Sequence, residues 1–160
     1  MKGVGNPLVL ALGNVILNPS VEDGVSEPSH WYHTPFGTEW ATVGHHGNRS
    51  LRINAVNETP DWRCEQYAVR ANARYRLRLW VKGAGSDRLI VAVRWFASFG
   101  YDQWIGEEWV PISGTYPDWT AIVQDVVAPS NSVAGDIMFR VWEPRTLDVY
   151  GDDFALFRIT

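Results

Sequence analysis

The sequence predicts an all-β chain that folds as a β-sandwich. Three observations support this prediction: apolar and polar residues alternate with a period of two in several segments, helical periodicity is almost absent, and turn-forming residues separate the segments at sandwich-like intervals. The clearest turn signals are GAGSD at 83–87, PSN at 129–131 and Glu143-Pro144. A length of 160 residues fits one domain with a single core.

The alternation defines strands and their inward faces. The inward residues of the three clearest strands, at 75–82, 89–96 and 136–142, are Tyr75, Leu77, Leu79, Val81, Leu89, Val91, Val93, Trp95, Ile137, Phe139 and Val141. The outward residues are Arg76, Arg78, Trp80, Lys82, Ile90, Ala92, Arg94, Phe96, Met138, Arg140 and Trp142. Further strands are expected near 8–17, 50–56, 63–70, 109–115, 119–127 and 149–159. The segment 24–47 has the most loop-like sequence, and we expect it to fold over a sheet.

Composition excludes several classes of protein. A net charge of −4 provides no basic field for nucleic acid. No apolar run is long enough to span a membrane. Lys2 and the apolar stretch 7–12 do not make an export signal, because the stretch is short and Asn14 soon interrupts the apolar pattern. The single cysteine, Cys64, lies in a strand-like run and is expected to be a small buried apolar residue.

Five sequence blocks occur in an order typical of one family. They are NVILNPSVEDG at 14–24, GNRSLRI at 47–53, YRLRLWVK at 75–82, WVPISGT at 109–115 and YGDDFAL at 150–156. Together they resemble the carbohydrate-binding modules of families four, nine and twenty-two, over residues 14 to 158. The resemblance implies a galactose-binding-domain-like jelly-roll β-sandwich at 14–160, preceded by an N-terminal arm at 1–13.

A carbohydrate groove is the first functional hypothesis. A cation beside an aromatic residue recurs on the outward side of three strands, as Arg78 with Trp80, Arg94 with Phe96, and Arg140 with Trp142. Sugar rings need flat apolar plates for stacking and planar donors for their hydroxyl groups. If the three strands are neighbours in one sheet, these residues form a groove floor, with a rim that the sequence assigns to Trp62, Glu65, Gln66 and Tyr67. The alternatives are a second apolar layer on the sheet or a contact with another subunit.

A structural calcium ion is the second hypothesis. Calcium prefers six to eight oxygen ligands. The resemblance implies that Glu22, a backbone carbonyl near Gly24, a carbonyl near Asn48 and an aspartate of the last strand hold it. Asp153 is preferred over Asp152 for the last position. An Asx-type turn or a surface cluster of acids would explain the same residues without a metal.

Catalysis is not expected. Glu107 and Glu108 are adjacent, so in a strand they face opposite sides and cannot flank a glycosidic bond. His45 and His46 lie in a loop-like segment with no further ligand at zinc spacing. The sequence contains no nucleophile motif and no phosphate-binding glycine loop.

Two settings for a binding sandwich follow. The first is a virion-surface protein, such as a capsid decoration or fibre protein, attached to other virion proteins through residues 1–13 and able to form homo-oligomers. The second is a glycan-binding module of a secreted polysaccharide-degrading enzyme, with xylan or β-glucan as ligand. The missing export signal and linker favour the virion surface; in either setting the expected partner is a polysaccharide or cell-surface glycan.

Overall fold

Eleven β-strands build the part of the chain that the structure, a computed structural model, describes, which is residues 13–159. They are β1 (Trp31–His33), β2 (Thr38–Ala41), β3 (Ser50–Glu58), β4 (Asp61–Cys64), β5 (Tyr67–Ala68), β6 (Arg74–Ala84), β7 (Leu89–Phe96), β8 (Trp104–Pro111), β9 (Thr115–Val127), β10 (Ala134–Val141) and β11 (Arg145–Arg158). Residues 13–159 include no helix, and so none that is long and apolar enough to cross a membrane.

The strands pair into two antiparallel sheets. The six-stranded sheet has the order β1-β4-β10-β7-β8, with β5 also beside β10. The five-stranded sheet has the order β2-β3-β11-β6-β9. The all-β sandwich prediction is confirmed.

The core lies between the two sheets. Leu77 and Leu79 of one sheet and Val93 and Phe139 of the other belong to a single cluster of buried apolar side chains. Alternation in β6 matches the prediction, since its four inward residues are at most 3% exposed. Strand β7 differs, because its outward residues Ile90, Ala92 and Phe96 are also buried. A second apolar layer therefore covers this strand from outside.

Several predicted strand boundaries need correction. The predicted strand 63–70 is divided into β4 and β5, and the predicted strand 109–115 spans the end of β8 and the first residue of β9. The segment 24–47 is not one loop, since it contains β1 and β2, and these two strands belong to different sheets. Cys64 is buried as predicted, and its sulfur accepts a hydrogen bond of 3.3 Å from the Ile137 amide of β10.

The first sequence block, at 14–24, is hydrogen-bonded to the last strand, β11. The Asn14 side chain accepts a hydrogen bond from the Leu156 amide at 2.9 Å and donates one to the Phe154 carbonyl at 3.1 Å. The Val15 amide donates to the Leu156 carbonyl at 2.9 Å. Residues 13–17 do not form a strand, and the rest of the predicted strand 8–17 lies outside the described residues. The predicted arm 1–13 also lies outside them, apart from Gly13.

Candidate functional site

The predicted groove is divided between two opposite surfaces. Arg78 and Trp80 lie on β6 in the five-stranded sheet. In the six-stranded sheet, Arg94 and Phe96 lie on β7, and Arg140 lies on β10 with Trp142 directly after the end of that strand. The chain crosses between the sheets at 85–88, where the Gly85 amide binds the Gly114 carbonyl and the Ser86 amide binds the Ile112 carbonyl. The expectation of one shared floor for Trp80, Phe96 and Trp142 is therefore wrong.

We name the two surfaces by their sheets. The six-strand face is the outer surface of the six-stranded sheet together with the loop between β7 and β8. Its main side chains are Tyr32, Asp61, Arg63, Ile90, Ala92, Arg94, Tyr101, Glu107, Trp109, Asp136, Met138, Arg140 and Trp142. The five-strand face is the outer surface of the five-stranded sheet, with Arg52, Arg76, Arg78, Trp80, Asp125, Asp148 and Tyr150.

Exposed aromatic side chains concentrate on the six-strand face. Tyr32, Tyr101, Trp104 and Trp109 are between 39% and 54% exposed. Tyr32, Trp104 and Trp109 come from edge strands β1 and β8, and Tyr101 comes from the connection between β7 and β8. The aromatic plates therefore stand along the borders of the face.

An apolar floor lies between these borders. It consists of Ile90, Ala92 and Met138, and the Trp142 ring packs on it. The rings of Trp142 and Trp109 have centroids 5.1 Å apart and tilt by 40°. The Arg88 guanidinium carbon also lies over the Trp142 ring, 4.7 Å from its centroid. These contacts leave Trp142 half-buried and Trp109 the more accessible plate.

The opposite border is built around Arg63. Its guanidinium carbon lies 5.0 Å from the Tyr101 ring centroid and 5.7 Å from that of Tyr32, at distances typical of cation–π contacts. Gln66 anchors the loop that carries Tyr101, because its side-chain oxygen accepts a hydrogen bond of 2.8 Å from the Gly100 amide. Gln66 thus positions the rim that the sequence assigned to it.

Two acids, buried Asp136 and half-buried Asp61, give the face its charge pattern. Arg94 and Asp136 stand opposite each other on β7 and β10 and form two hydrogen bonds of 2.7 and 2.6 Å. Burial raises the pKa of Asp136 above its ordinary value, and the Arg94 guanidinium opposes that rise. Burial likewise raises the pKa of Asp61, against the charges of Arg140 and Arg63. The Asp136 carboxyl group therefore holds the Arg94 side chain in a fixed position.

Two guanidinium groups of this face retain unused donors. Within the described residues, the Nε atoms of Arg63 and Arg140 have no hydrogen-bond partner. These atoms are buried, but both arginine side chains are half-exposed as a whole and present the rest of the guanidinium group as donors towards solvent.

Three predicted contact residues, Trp62, Phe96 and Tyr67, are buried. Trp62 cannot form a rim, since it is 1% exposed and faces the core, where its indole N–H donates to the Arg52 carbonyl at 3.0 Å. Phe96 lies on the predicted outward side of β7, but it is buried beneath the Tyr101 ring, which contacts it edge-on. Glu65 is half-buried at the end of β4 and pairs with His30. Tyr67 is buried in the core.

The five-strand face presents its aromatic residues differently. The Trp80 ring is covered by His45, which stacks on it with a centroid separation of 4.0 Å and an angle of 18°. Trp119 lies beside the same histidine, 5.7 Å away. Arg78 is half-buried beside them on β6. The loop between β2 and β3 carries His45 and His46, and we call it the histidine loop. On this face it covers the Trp80 ring instead of leaving it open.

Four of the five residues implied as calcium ligands meet that loop. Glu22 accepts hydrogen bonds from the Asn48 amide at 3.0 Å and the Arg49 amide at 2.9 Å. Asp152 accepts one from the His45 amide at 2.7 Å. Asp153 lies at a bulge in β11 with φ of 50°, and one carboxylate oxygen is 2.7 Å from Nδ1 of His45 and 2.8 Å from Nδ1 of His46.

Gly24, the fifth residue, lies in a turn closed by a bridge to Pro28. A Cβ atom at this position would overlap the Glu27 carbonyl oxygen and lie 2.9 Å from the Trp40 ring. The Gly24 φ of 151° is also one that side-chain-bearing residues rarely adopt. These observations explain the glycine by close backbone packing and do not connect it to the other four residues.

The donors around Asp153 do not match an all-oxygen calcium site. Burial and the nearby charges of Asp153 and Glu22 raise the pKa of Asp152 to about 8, which reflects three carboxyl groups in one place. The closest groups to the Asp153 oxygen are, however, two imidazole nitrogens, and calcium prefers oxygen. Calcium stays a prediction from the resemblance.

Sequence reasoning missed several residues of these sites. Tyr32 lies in a segment whose sequence is loop-like, and Trp109 belongs to the sequence block at 109–115 without a predicted role. Arg63 and Tyr101 are distant in the sequence and approach each other only in the folded chain. An excess of tryptophan, nine in 160 residues, was the available signal that some are exposed.

No protein-family model matches the chain, and no curated protein sequence matches it. Among solved structures, a family 16 carbohydrate-binding module-2 aligns with TM-score 0.67 and 16% identity over 89% of this chain and 99% of that one. The family 61 module TmCBM61, solved in complex with β-1,4-galactotriose, aligns with TM-score 0.61 and 19% identity over 92% and 99%.

The enzymatically active domain of bacteriophage CBA120 tailspike protein 4 also aligns, with TM-score 0.66 and 13% identity, over 91% of this chain but 21% of that one. At these identities the comparisons establish the fold. The chain has the β-sandwich fold of carbohydrate-binding modules, as the sequence resemblance predicted.

Proposed function

We propose that this chain binds a carbohydrate on its six-strand face without cleaving it. The observation that carries the proposal is the collection of exposed aromatic rings along the borders of that face, beside half-exposed arginines. Rings such as Trp109 and Tyr32 offer the apolar plates on which sugars stack, and Arg63 and Arg140 offer planar donors to hydroxyl groups. The similar module solved with β-1,4-galactotriose supports a glycan as the ligand class.

Binding without hydrolysis is supported by the hydrogen bonds that Asp136 and Glu107 make on this face. A glycosidase needs two carboxyl groups that flank the scissile bond. Asp136 is fully buried and held by Arg94 through two hydrogen bonds. Glu107 accepts a hydrogen bond of 3.1 Å from the Trp109 indole. These acids position aromatic and guanidinium groups, which is a binding role.

The test compares the same substitutions on both faces. Trp109→Ala and Tyr32→Ala should each weaken retention on a polysaccharide gel by about fivefold or more, because a lost stacking plate removes on the order of 1 kcal/mol. Trp119→Ala and Tyr150→Ala, on the opposite side of the sandwich, are the matched controls and should leave retention unchanged. A panel of β-galactan, xylan and β-glucan identifies the ligand.

Loss of retention confined to the control variants would contradict the proposed face. Release of reducing ends from any polysaccharide by the wild-type chain would contradict a purely binding role. Thermal melts of all four variants separate loss of binding from loss of folding.

Two biological settings fit a binding sandwich, and each has a similar structure in its support. The tailspike neighbour supports a virion-surface protein, and a neighbour consisting of the CBM22-1 and GH10 modules of a xylanase supports an enzyme-borne module. For the virion surface, deletion of residues 1–13 should weaken attachment to particles while retention on glycans persists. For an enzyme-borne module, the same deletion should be silent in both assays.

A further inference from the structure

We propose that His45, His46 and Asp153 form a binding site for a divalent transition-metal ion of the zinc type. One ligand atom from each of these residues lies within 4.8 Å of the other two. Imidazole nitrogen and carboxylate oxygen are donors that zinc, nickel and copper accept readily, whereas calcium selects oxygen. The site does not depend on the carbohydrate proposal, because it lies on the other sheet of the sandwich.

The distances suit a metal after a small adjustment. Two ligands bound to zinc at 2.0–2.1 Å and a tetrahedral angle lie about 3.3 Å apart. The Asp153 oxygen now lies 2.7 and 2.8 Å from the two ring nitrogens. An outward movement of about half an ångström at each ring would therefore admit the ion.

The surrounding structure holds these ligands in place. The His45 ring is fixed by its stack on Trp80, and its backbone amide is fixed by Asp152. Glu22 binds two consecutive amides of the same loop, at Asn48 and Arg49. Asp153 is aimed at the loop by a β-bulge and a left-handed backbone, a conformation uncommon for a residue with a side chain. Such support around ligands is a general feature of metal sites.

The site is accessible from solvent on the side of His46. His46 has a side chain that is 61% exposed, so an ion can enter from solvent without opening the core. Three protein ligands also leave a fourth tetrahedral position for water or an external donor. The site is thus open on one side.

The test is a titration of untagged protein with zinc chloride, followed by calorimetry, and with cobalt chloride, followed by visible absorbance of tetrahedral cobalt. We expect one zinc ion per chain and a cobalt spectrum with a nitrogen and oxygen ligand set. Nickel or copper should also quench tryptophan fluorescence, because His45 lies against the Trp80 ring. His46→Ala should weaken zinc binding at least about tenfold, since even residues that only support ligands contribute factors of 10–100.

The matched control is His30→Ala, which removes a histidine that pairs with a single glutamate elsewhere on the surface. It should leave zinc affinity unchanged. His46→Gln provides a second variant should the alanine substitution disturb the loop, which a thermal melt reveals. Absence of zinc binding in the wild type, equal zinc affinity in the His46 variants, or displacement of zinc by an equal concentration of calcium would each overturn the proposal.

Discussion

Each outer face of the sandwich carries an arginine and an aspartate joined by two hydrogen bonds across neighbouring strands, but the two pairs differ in their contact with water. On the six-strand face, Arg94 and Asp136 form bonds of 2.7 and 2.6 Å, and the aspartate side chain is 0% exposed. On the five-strand face, Arg52 and Asp148 form bonds of 2.9 and 2.7 Å, and the aspartate side chain is 49% exposed.

The exposure of an arginine–aspartate pair decides how much the pair contributes to stability. Water screens the Arg52–Asp148 pair, so it contributes little to stability and its partners can rearrange. The Arg94–Asp136 pair is removed from water, and breaking it would leave a buried charge. The six-strand face is therefore the rigid one, as a surface that receives a ligand without rearrangement needs to be.

The largest effect should come from Arg94→Met. This substitution leaves the Asp136 carboxyl group buried without its partner, and we expect the free energy of unfolding to fall by about 3–5 kcal/mol. Urea denaturation of variant and wild type measures it. The double variant Arg94→Met with Asp136→Leu removes both charges and should recover much of the loss; no recovery would show that packing of the arginine side chain matters more than its charge.

The pH dependence of the same variant gives an intermediate effect. The folded-state pKa of Asp136 is raised above the ordinary value of 3.8, so protonation of this carboxyl group favours the folded state. The stability gained from protonation is fully present below pH 3.8 and is lost as the pH rises through the folded-state pKa. Removing Arg94 raises that pKa further. The stability gap between Arg94→Met and wild type should therefore narrow as the pH falls towards 4, by at most about 1.4 kcal/mol per pH unit. A gap that is constant between pH 4 and 7 would contradict this account.

The smallest effect should come from Arg52→Met on the five-strand face. Asp148 and Glu39 raise the pKa of Arg52, but the pair is exposed, so we expect a loss of only about 0–1 kcal/mol in the same urea experiment. Added salt should reduce even this loss. A loss as large as that of Arg94→Met would remove the distinction between the faces.

Sequence alone predicted the local structure of this chain better than its assembly. Alternation identified the buried side of β6 correctly, because a strand in either sheet must place Leu77 and Leu79 in the core. Alternation carries no information about which sheet a strand joins, and for that reason Trp80 was placed beside Arg94. Strand β4, with four residues, was too short for alternation to show that Trp62 faces inward.

The histidine cluster was missed for a related reason. Metal-binding motifs are recognised in a sequence by ligand residues at short, characteristic spacings. No further ligand residue lies at such a spacing from His45 and His46. Their carboxylate partner, Asp153, is 107 residues beyond His46 and reaches the loop only through the bulge of β11. Pairing between distant strands decides such sites, and a single sequence does not contain that pairing.

The buried thiol of Cys64 has a practical consequence for kinetic work on this chain. It is the only cysteine, it is 1% exposed, and burial raises its pKa, so a thiol-modifying reagent has no target in the folded state. Modification requires β4 to separate from β10, which opens the sandwich itself. The rate of alkylation in native buffer therefore reports how often the wild-type domain opens, without any introduced label.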